Sequence, residues 1–332
     1  MIALLTATLG IVVLFSVATG AIRIAPGAII AAVFGRHTLT ATQDIILLQI
    51  RLPRVLASAL VGAALAVAGL LFQGLFRNPM ADPYVIGSSG GAMLGACIGI
   101  FFFSQLSFFG FSAIALLAFA GSNVTMVIVY SLARSNGKTN VVTLLLAGFS
   151  VSTMLGYSSY FFEALNRNGG SNQAILLSWL RGVIGTPRWT QLIVTGAIIP
   201  LTIVIAFPLM RRLNTLALGD EYAQQLGMKV EYTRVGIVIT GSLLTAAAVS
   251  LAGLISFAGL IVPHVARLFL GPDHVRLLPV TALSGAIFLV VADTLARSVF
   301  SPAEIPVGIL MAFIGGPFFL YLLRKSKRSG TL

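Results

Sequence analysis

The sequence predicts an all-α polytopic membrane protein of about ten transmembrane helices, and three observations predict it. Of the 332 residues, 58% are hydrophobic and 9% are charged, against roughly 25% charged in a soluble domain. The mean hydropathy of +1.00 is more apolar surface than one globular core can bury, so lipid must solvate most of the chain. Charge-free runs recur at the length a bilayer demands, about 20 residues, and the 34 glycines suit helices that pack closely in a membrane.

The spans follow in order along the chain. Met1 to Ala21 is apolar without the basic start of a cleaved leader, so it reads as the first span. Val55 to Phe76 is the second. Pro83 to Ala133 runs 51 residues without a charge; it holds two spans, divided near Ser104 to Gly110. Thr139 to Phe162 and Trp189 to Met210 are the next two. Val235 to Val265 lacks formal charge and continues apolar to Leu270; it holds two more, broken near Gly253 to Gly259. Leu277 to Ala296 and Ile305 to Leu323 complete the set. The polar stretches between them are too short to bury a core of their own, so residues 1–332 read as one membrane domain.

An even number of spans puts both termini on one side, and the basic tail Arg324, Lys325, Lys327, Arg328 predicts that this side is the cytoplasm. Arg77, Arg134, Lys138, Arg211, Arg212, Lys229, Arg234, Arg267 and Arg276 then also lie inside. Arg23, Arg36, Arg51, Arg54, Arg167, Arg181, Arg188 and Arg297 lie outside and need a reason. The net charge of +12 does not indicate nucleic acid, because no basic stripe with interleaved aromatics is present. The single Cys97 lies in an apolar run and reads as a packing residue.

Several residues carry both a functional and a structural reading. Arg51-Leu52-Pro53-Arg54 stands at the outer mouth of the second span; its arginines either reach lipid phosphates or receive carboxylates of an external partner. Arg297 ends the ninth span on the same side. Asp293 is the one acid well inside a span, a functional candidate by default, but Arg297 one turn later offers a structural pair. Gly87-Ser88-Ser89-Gly90-Gly91 has the spacing of a serine nucleophile, with His264 as a base; the same stretch continues through Gly91, Gly95 and Gly99 at helix-packing spacing, which is the better reading. Gly137-Lys138-Thr139 lacks the glycine and the strand of a phosphate loop. His37, His264 and His274 have no metal-ligand spacing, and Pro263 before His264 predicts a kink in the eighth span.

The most informative polar stretch is Leu216 to Gly227, within a loop at about 211–234. Asp220 and Glu221 suit the start of a short helix and Gly227 its end. Leu218, Tyr222 and Leu226 recur every four residues, giving one sticky face. A helix lying on the bilayer is the alternative, but that mode favours basic residues. An acidic helix with an apolar face predicts a protein partner.

Together these segments resemble the FecCD-type permeases, the family of vitamin B12, ferric siderophore and haem importers. The resemblance rests on Arg51 to Arg54 with Gly62 to Ala66; Gln73 through Arg77-Asn78-Pro79-Met80-Ala81-Asp82-Pro83; Leu145 to Gly148; Leu216 through Gly227; Gly253 through Pro263-His264; Ala292-Asp293 with Ala296-Arg297; and Glu304 to Gly308. It implies a type II ABC importer permease that dimerises around a central path. By the resemblance, Leu218, Gly219, Asp220, Glu221, Ala223 and Gly227 belong to the coupling helices that sit in a cleft of the ATPase. Arg51, Arg54 and Arg297 match a pocket for glutamates of the substrate-binding protein. Asn78 and Met80 match a cytoplasmic gate, and Val141 and Val142 align with a second gate whose family site is more polar. Asp293, Pro263 and His264 are read as structural.

The partners so implied are two ABC ATPase subunits, a periplasmic or lipid-anchored binding protein, and a second permease chain, a copy or a paralogue. The chain itself is expected to bind no cofactor and no metal, with ATP and Mg on the ATPase, and to sit in a bacterial or archaeal cytoplasmic membrane. A secondary transporter and an intramembrane serine protease are the competing readings. The first would need paired ionisable groups at midplane; the second would need Ser89 and His264 together.

Overall fold

The computed structural model describes the chain except residues 21, 23, 34–38, 109, 136–137, 166–169, 300–302 and 330–332. Arg23, Arg36, His37, Gly137 and Arg167 of the sequence analysis therefore lie outside the described residues, as do the side chains of Lys325, Lys327 and Arg328.

Among the described residues, six helices are long and apolar enough to cross a membrane and four shorter apolar helices accompany them. These ten coincide with the ten predicted spans. They are α1 (Ile2–Ala18), α4 (Leu52–Phe76), α5 (Ser88–Phe103), α6 (Ala113–Ala133), α7 (Val141–Leu165), α9 (Trp189–Ala217), α11 (Val230–Ala252), α12 (Ala258–Leu270), α13 (His274–Ser298) and α14 (Val307–Ser329). The predicted division near Ser104 to Gly110 is a two-residue hairpin, Ser107–Phe108 against Phe111–Ser112. The predicted break after Gly253 falls between α11 and α12.

Four further helices were not counted as spans: α2 (Pro26–Val33), α3 (Ala41–Ile45), α8 (Gly170–Leu180) and α10 (Asp220–Gln225). Only α10 was foreseen. Thr40 opens α3 through a capping box with Gln43, and a wider π turn, Ile46–Arg51, carries α3 straight into α4 as one rod of 36 residues. The second span is therefore longer at its start than its charge-free run.

α4 is the axis of the bundle. Val61, Leu65, Leu70, Leu71 and Phe72 are buried, and α13, α11, α12 and α9 pack around it. Glycine sets the approach distances: a Cβ on Gly62 would strike the Gly285 carbonyl of α13, and one on Gly69 would strike Gly259 of α12. The predicted row Gly91, Gly95, Gly99 likewise lies against the α6 backbone at Gly121, Leu117 and Ile114.

Pro263 lies inside α12. It has no N–H to give to the carbonyl four residues back, that of Gly259. Gln73 of α4 replaces the missing donor: its Nε2 reaches Gly259 O at 3.3 Å and Leu260 O at 3.2 Å. Its Oε1 accepts from Arg267 Nη1 at 3.2 Å. An apolar interior that must satisfy every backbone group explains this buried glutamine.

Candidate functional site

The two ends of α4 mark two polar clusters. At its start, three arginines converge. Arg51 is buried and donates through Nη1 to Val17 O at 3.0 Å and Ala18 O at 3.3 Å, and through Nη2 to Ile22 O. Arg297, at the end of α13, donates through Nη1 to Thr19 O at 2.7 Å and through Nη2 to the carbonyl and hydroxyl of Ser16. Both guanidiniums thus cap the last carbonyls of α1, where cations are favoured. Ser16 and Thr294 join α1 to α13 through a hydroxyl pair at 2.6 Å.

Arg54 stands between two carboxylates. Its Nη2 is 3.0 Å from Asp293 Oδ1 and its Nη1 is 2.8 Å from Glu304 Oε2. Asp293 is 1% exposed and Glu304 54%. The predicted Asp293–Arg297 pair is present, but at 3.8 Å it is the looser contact. Asp293 belongs first to Arg54, on a helix that sequence spacing could not bring forward.

At the other end of α4, the helix closes at Arg77, Asn78 N–H returning to Gln73 O at 3.1 Å and Arg77 N–H to Gly74 O at 3.3 Å. This puts Arg77 in the left-handed conformation, φ 49°, where glycine is the usual residue. Asn78 Oδ1 accepts from Met80 N–H at 2.9 Å and so shapes the following turn. Asn140 does the same at the start of α7, accepting from Val142 N–H at 2.9 Å and Thr143 N–H at 3.2 Å. Asn78 and Val142 are exposed; Met80 and Val141 are half-buried.

Between these segments lies α10. Gly219 (φ 120°) precedes it and Gly227 (φ 78°) follows it. Met228 N–H to Ala223 O at 3.0 Å and Gly227 N–H to Gln224 O at 2.9 Å make the predicted glycine ending. Ala223 is fully buried, whereas Leu218 (66%), Tyr222 (65%) and Leu226 (70%) are exposed. The three apolar residues read from the four-residue spacing are all exposed, but only Tyr222 lies within α10; Leu218 and Leu226 flank it. Asp220 Oδ1 accepts from Arg77 Nη2 at 2.8 Å, and Oδ2 accepts from Arg234 Nη2. Arg234 Nη1 also donates to Thr139 O at 3.1 Å.

The model of the FecCD transport family matches residues 8–325. The chain belongs to the FecCD transport family. It is 44% identical over 283 residues to the cobalamin import system permease protein BtuC of Halobacterium salinarum, covering 85% of this chain and 74% of that one. It is 40% identical over 299 residues to the hemin transport system permease protein HmuU of Yersinia pestis, covering 88% of each. A solved structure described as an inward-facing conformation of a metal-chelate type ABC transporter superposes with a TM-score of 0.81 at 31% identity, covering 98% of each chain. As a FecCD protein, the chain is a multi-pass permease subunit of an ABC importer that works with ATPase and substrate-binding partners, and it is a transporter subunit rather than an enzyme.

The two residues of the protease reading serve structure in this FecCD fold. Ser89 Oγ lies 3.4 Å from Ser152 Oγ, and the His264 ring packs edge-on against Phe318, centroids 6.0 Å apart. Among the described residues no group of three or more His, Cys, Asp or Glu could hold a metal ion. What the sequence did not disclose is the Arg77–Asp220–Arg234 connection and the Glu304 partner of Arg54. The one available signal was an arginine at the left-handed end of α4, and it becomes legible only once the helix ending is known.

Proposed function

We propose that the chain forms half of the translocation path of an importer for a bulky metal chelate: a ferric siderophore, haem or a cobamide. The α10 face abuts the cytoplasm with both termini, and the arginine cluster faces outward. The observation that carries the reading is the exposed apolar triplet Leu218, Tyr222 and Leu226, on α10 and the residues flanking it, with the opposite side pinned by buried Ala223. Such a face on a polar surface requires a partner. An ATPase subunit, which holds the ATP and Mg, fits it, and two such subunits serve two permease chains. Gly219 and Gly227 set the ends of this coupling helix, and Glu221 adds exposed charge at its start.

The second permease chain, a copy or a paralogue, is placed against α7. That helix is the least buried of the six long spans, and its exposed residues mix Phe149 and Tyr157 with Ser150 and Thr153, a poor face for lipid alone. Asn78, Met80, Val141 and Val142 close the inner end of the path. The binding protein docks at the arginine cluster through Arg54, the most exposed of the three. Arg54 is the group offered to its carboxylates, and Arg51 and Arg297 hold α1 in place beside it.

The test is assembly with the ATPase. Tyr222→Asp with Leu226→Asp should lose the copurifying ATPase in detergent while the permease stays folded and monodisperse. ATPase retained at the unsubstituted level contradicts the coupling reading.

A further inference from the structure

One carboxylate on the coupling helix is held by two arginines from different parts of the fold. Arg77 directly precedes Asn78, and Arg234 of α11 directly supports Thr139, two residues before Val141. The second branch is reinforced by Glu231, which accepts from Thr139 N–H at 3.2 Å and from the Tyr130 hydroxyl at 2.6 Å. Asp220 is therefore joined, through one guanidinium each, to both segments assigned above to the gate. Charge-assisted pairs of this kind resist sliding where apolar contacts do not.

The backbone of Arg77 points the same way. A non-glycine residue in the left-handed region is strained, and such strain persists where the side chain is needed. What arginine supplies there, and glycine cannot, is the guanidinium on Asp220.

We infer that Asp220 is a positioning residue that transmits movement of α10 to the two gate segments, one branch through Arg77 and one through Arg234, while Leu218, Tyr222 and Leu226 meet the ATPase. The inference rests on the coupling and gate readings proposed above. It assigns a division of labour within the acidic helix: the apolar face receives the push, and the first acid distributes it.

The experiment uses the full complex with ATPase in nanodiscs, in a Cys97→Ala background carrying Met80→Cys or Val142→Cys. The maleimide labelling rate of each cysteine is read before and after trapping with ATP and vanadate, which needs no knowledge of the cargo. The wild-type fork should change the rate at both positions. Asp220→Asn should lose most of the change at both, with the ATPase still bound. Arg77→Gly, which relieves the strained backbone and should not lower the melting temperature, should lose the change at Met80→Cys and keep it at Val142→Cys. Arg234→Gln should do the reverse, and these two variants carry the test if Asp220→Asn does not fold.

A full response in Asp220→Asn, or at Met80→Cys in Arg77→Gly, overturns the inference. Release of the ATPase by Asp220→Asn also overturns it, since Asp220 would then be a docking contact and the coupling reading would stand. An unchanged rate at both positions in the wild-type fork removes the gate reading and the inference with it. Failure of the coupling reading alone is seen separately, as ATPase retained by the Tyr222→Asp, Leu226→Asp protein.

Discussion

Arg54 and Asp293 are 239 positions apart in sequence and joined by two hydrogen bonds to one oxygen, Arg54 Nε and Nη2 to Asp293 Oδ1 at 3.2 and 3.0 Å. The pair locks α4 to α13 at the end of the bundle where the arginines gather. Removing one member of a buried pair strands the other, at a cost of about 3–5 kcal/mol. Arg54→Leu, which leaves buried Asp293 only the looser Arg297 contact, should destabilise the protein by about that amount in denaturant unfolding in detergent, Asp293→Leu by less because Arg54 keeps Glu304, and the double variant by clearly less than their sum. Additive losses would show that the two residues act independently.

Glu304 is the exposed competitor for the same guanidinium, 2.8 Å from Arg54 Nη1. A pair this open contributes at most about 1 kcal/mol. Glu304→Gln should therefore leave the melting temperature nearly unchanged. If binding-protein carboxylates use Arg54, it should also strengthen binding-protein association at low salt, measured by surface plasmon resonance. An unaltered affinity would place the docking carboxylates elsewhere.

Gln73 replaces the donor that Pro263 lacks. Gln73→Leu leaves the Gly259 carbonyl buried without it, and an unmet buried acceptor costs about 1–3 kcal/mol. Adding Pro263→Ala restores the backbone N–H and should recover part of that loss. No recovery in the double variant would mean that Gln73 acts mainly through Arg267.

Asp273 precedes α13 and accepts from Asn214 Nδ2 at 2.7 Å and Val275 N–H at 3.0 Å. The Asn214 hydrogen bond holds its carboxyl below the usual carboxylate range, against a smaller opposing effect of burial; the Val275 N–H and the charge of Arg276 add to the lowering. A carboxyl lowered on folding stabilises the protein above its unfolded pKa of about 3.9, and the contribution fades as pH falls through the lower folded value. Asp273→Ala should cost about 1 kcal/mol at neutral pH through the lost cap. The difference from wild type should shrink below about pH 4, read from melting temperatures across pH 3–7. A difference independent of pH would assign the effect to packing.

Much of the fold was legible because the membrane imposes a length rule. Nine of the ten spans follow from charge-free runs and the remaining one, Leu277 to Ala296, carries only Asp293; the breaks after Ser104 and Gly253 fall where glycine and polar residues interrupt them. α10 was legible too, since Asp220 and Glu221 mark its start and Gly227 follows its end, although the helix is shorter than the spacing of Leu218, Tyr222 and Leu226 implied. The extension of α4 back through Ala41 was not, because Asp44, Gln43 and Arg51 ended the apolar run while the helix continued. Pairings between distant helices were hidden for a different reason. Arg297 is one turn from Asp293 and invites the local pair, but three-dimensional packing gives that acid to Arg54. The arginines at 51 and 297 stood out in the sequence, and in the structure both donate to carbonyls at the end of α1. Their hydrogen bonds to the α1 carbonyls depend on where α1 ends, which hydropathy fixes only within a few residues.

The central claim is that cargo crosses only when a separate ATPase acts on α10. The most direct measurement is uptake of radiolabelled haemin, cyanocobalamin or a ferric hydroxamate into proteoliposomes holding the permease, the binding protein, and either the intact ATPase or one inactivated in ATP hydrolysis. The account predicts uptake of one of these chelates with the intact ATPase and ATP, and none with the inactive ATPase or with the Tyr222→Asp, Leu226→Asp permease. Uptake against a gradient without ATP hydrolysis, or none of the three carried by the intact assembly, would contradict it.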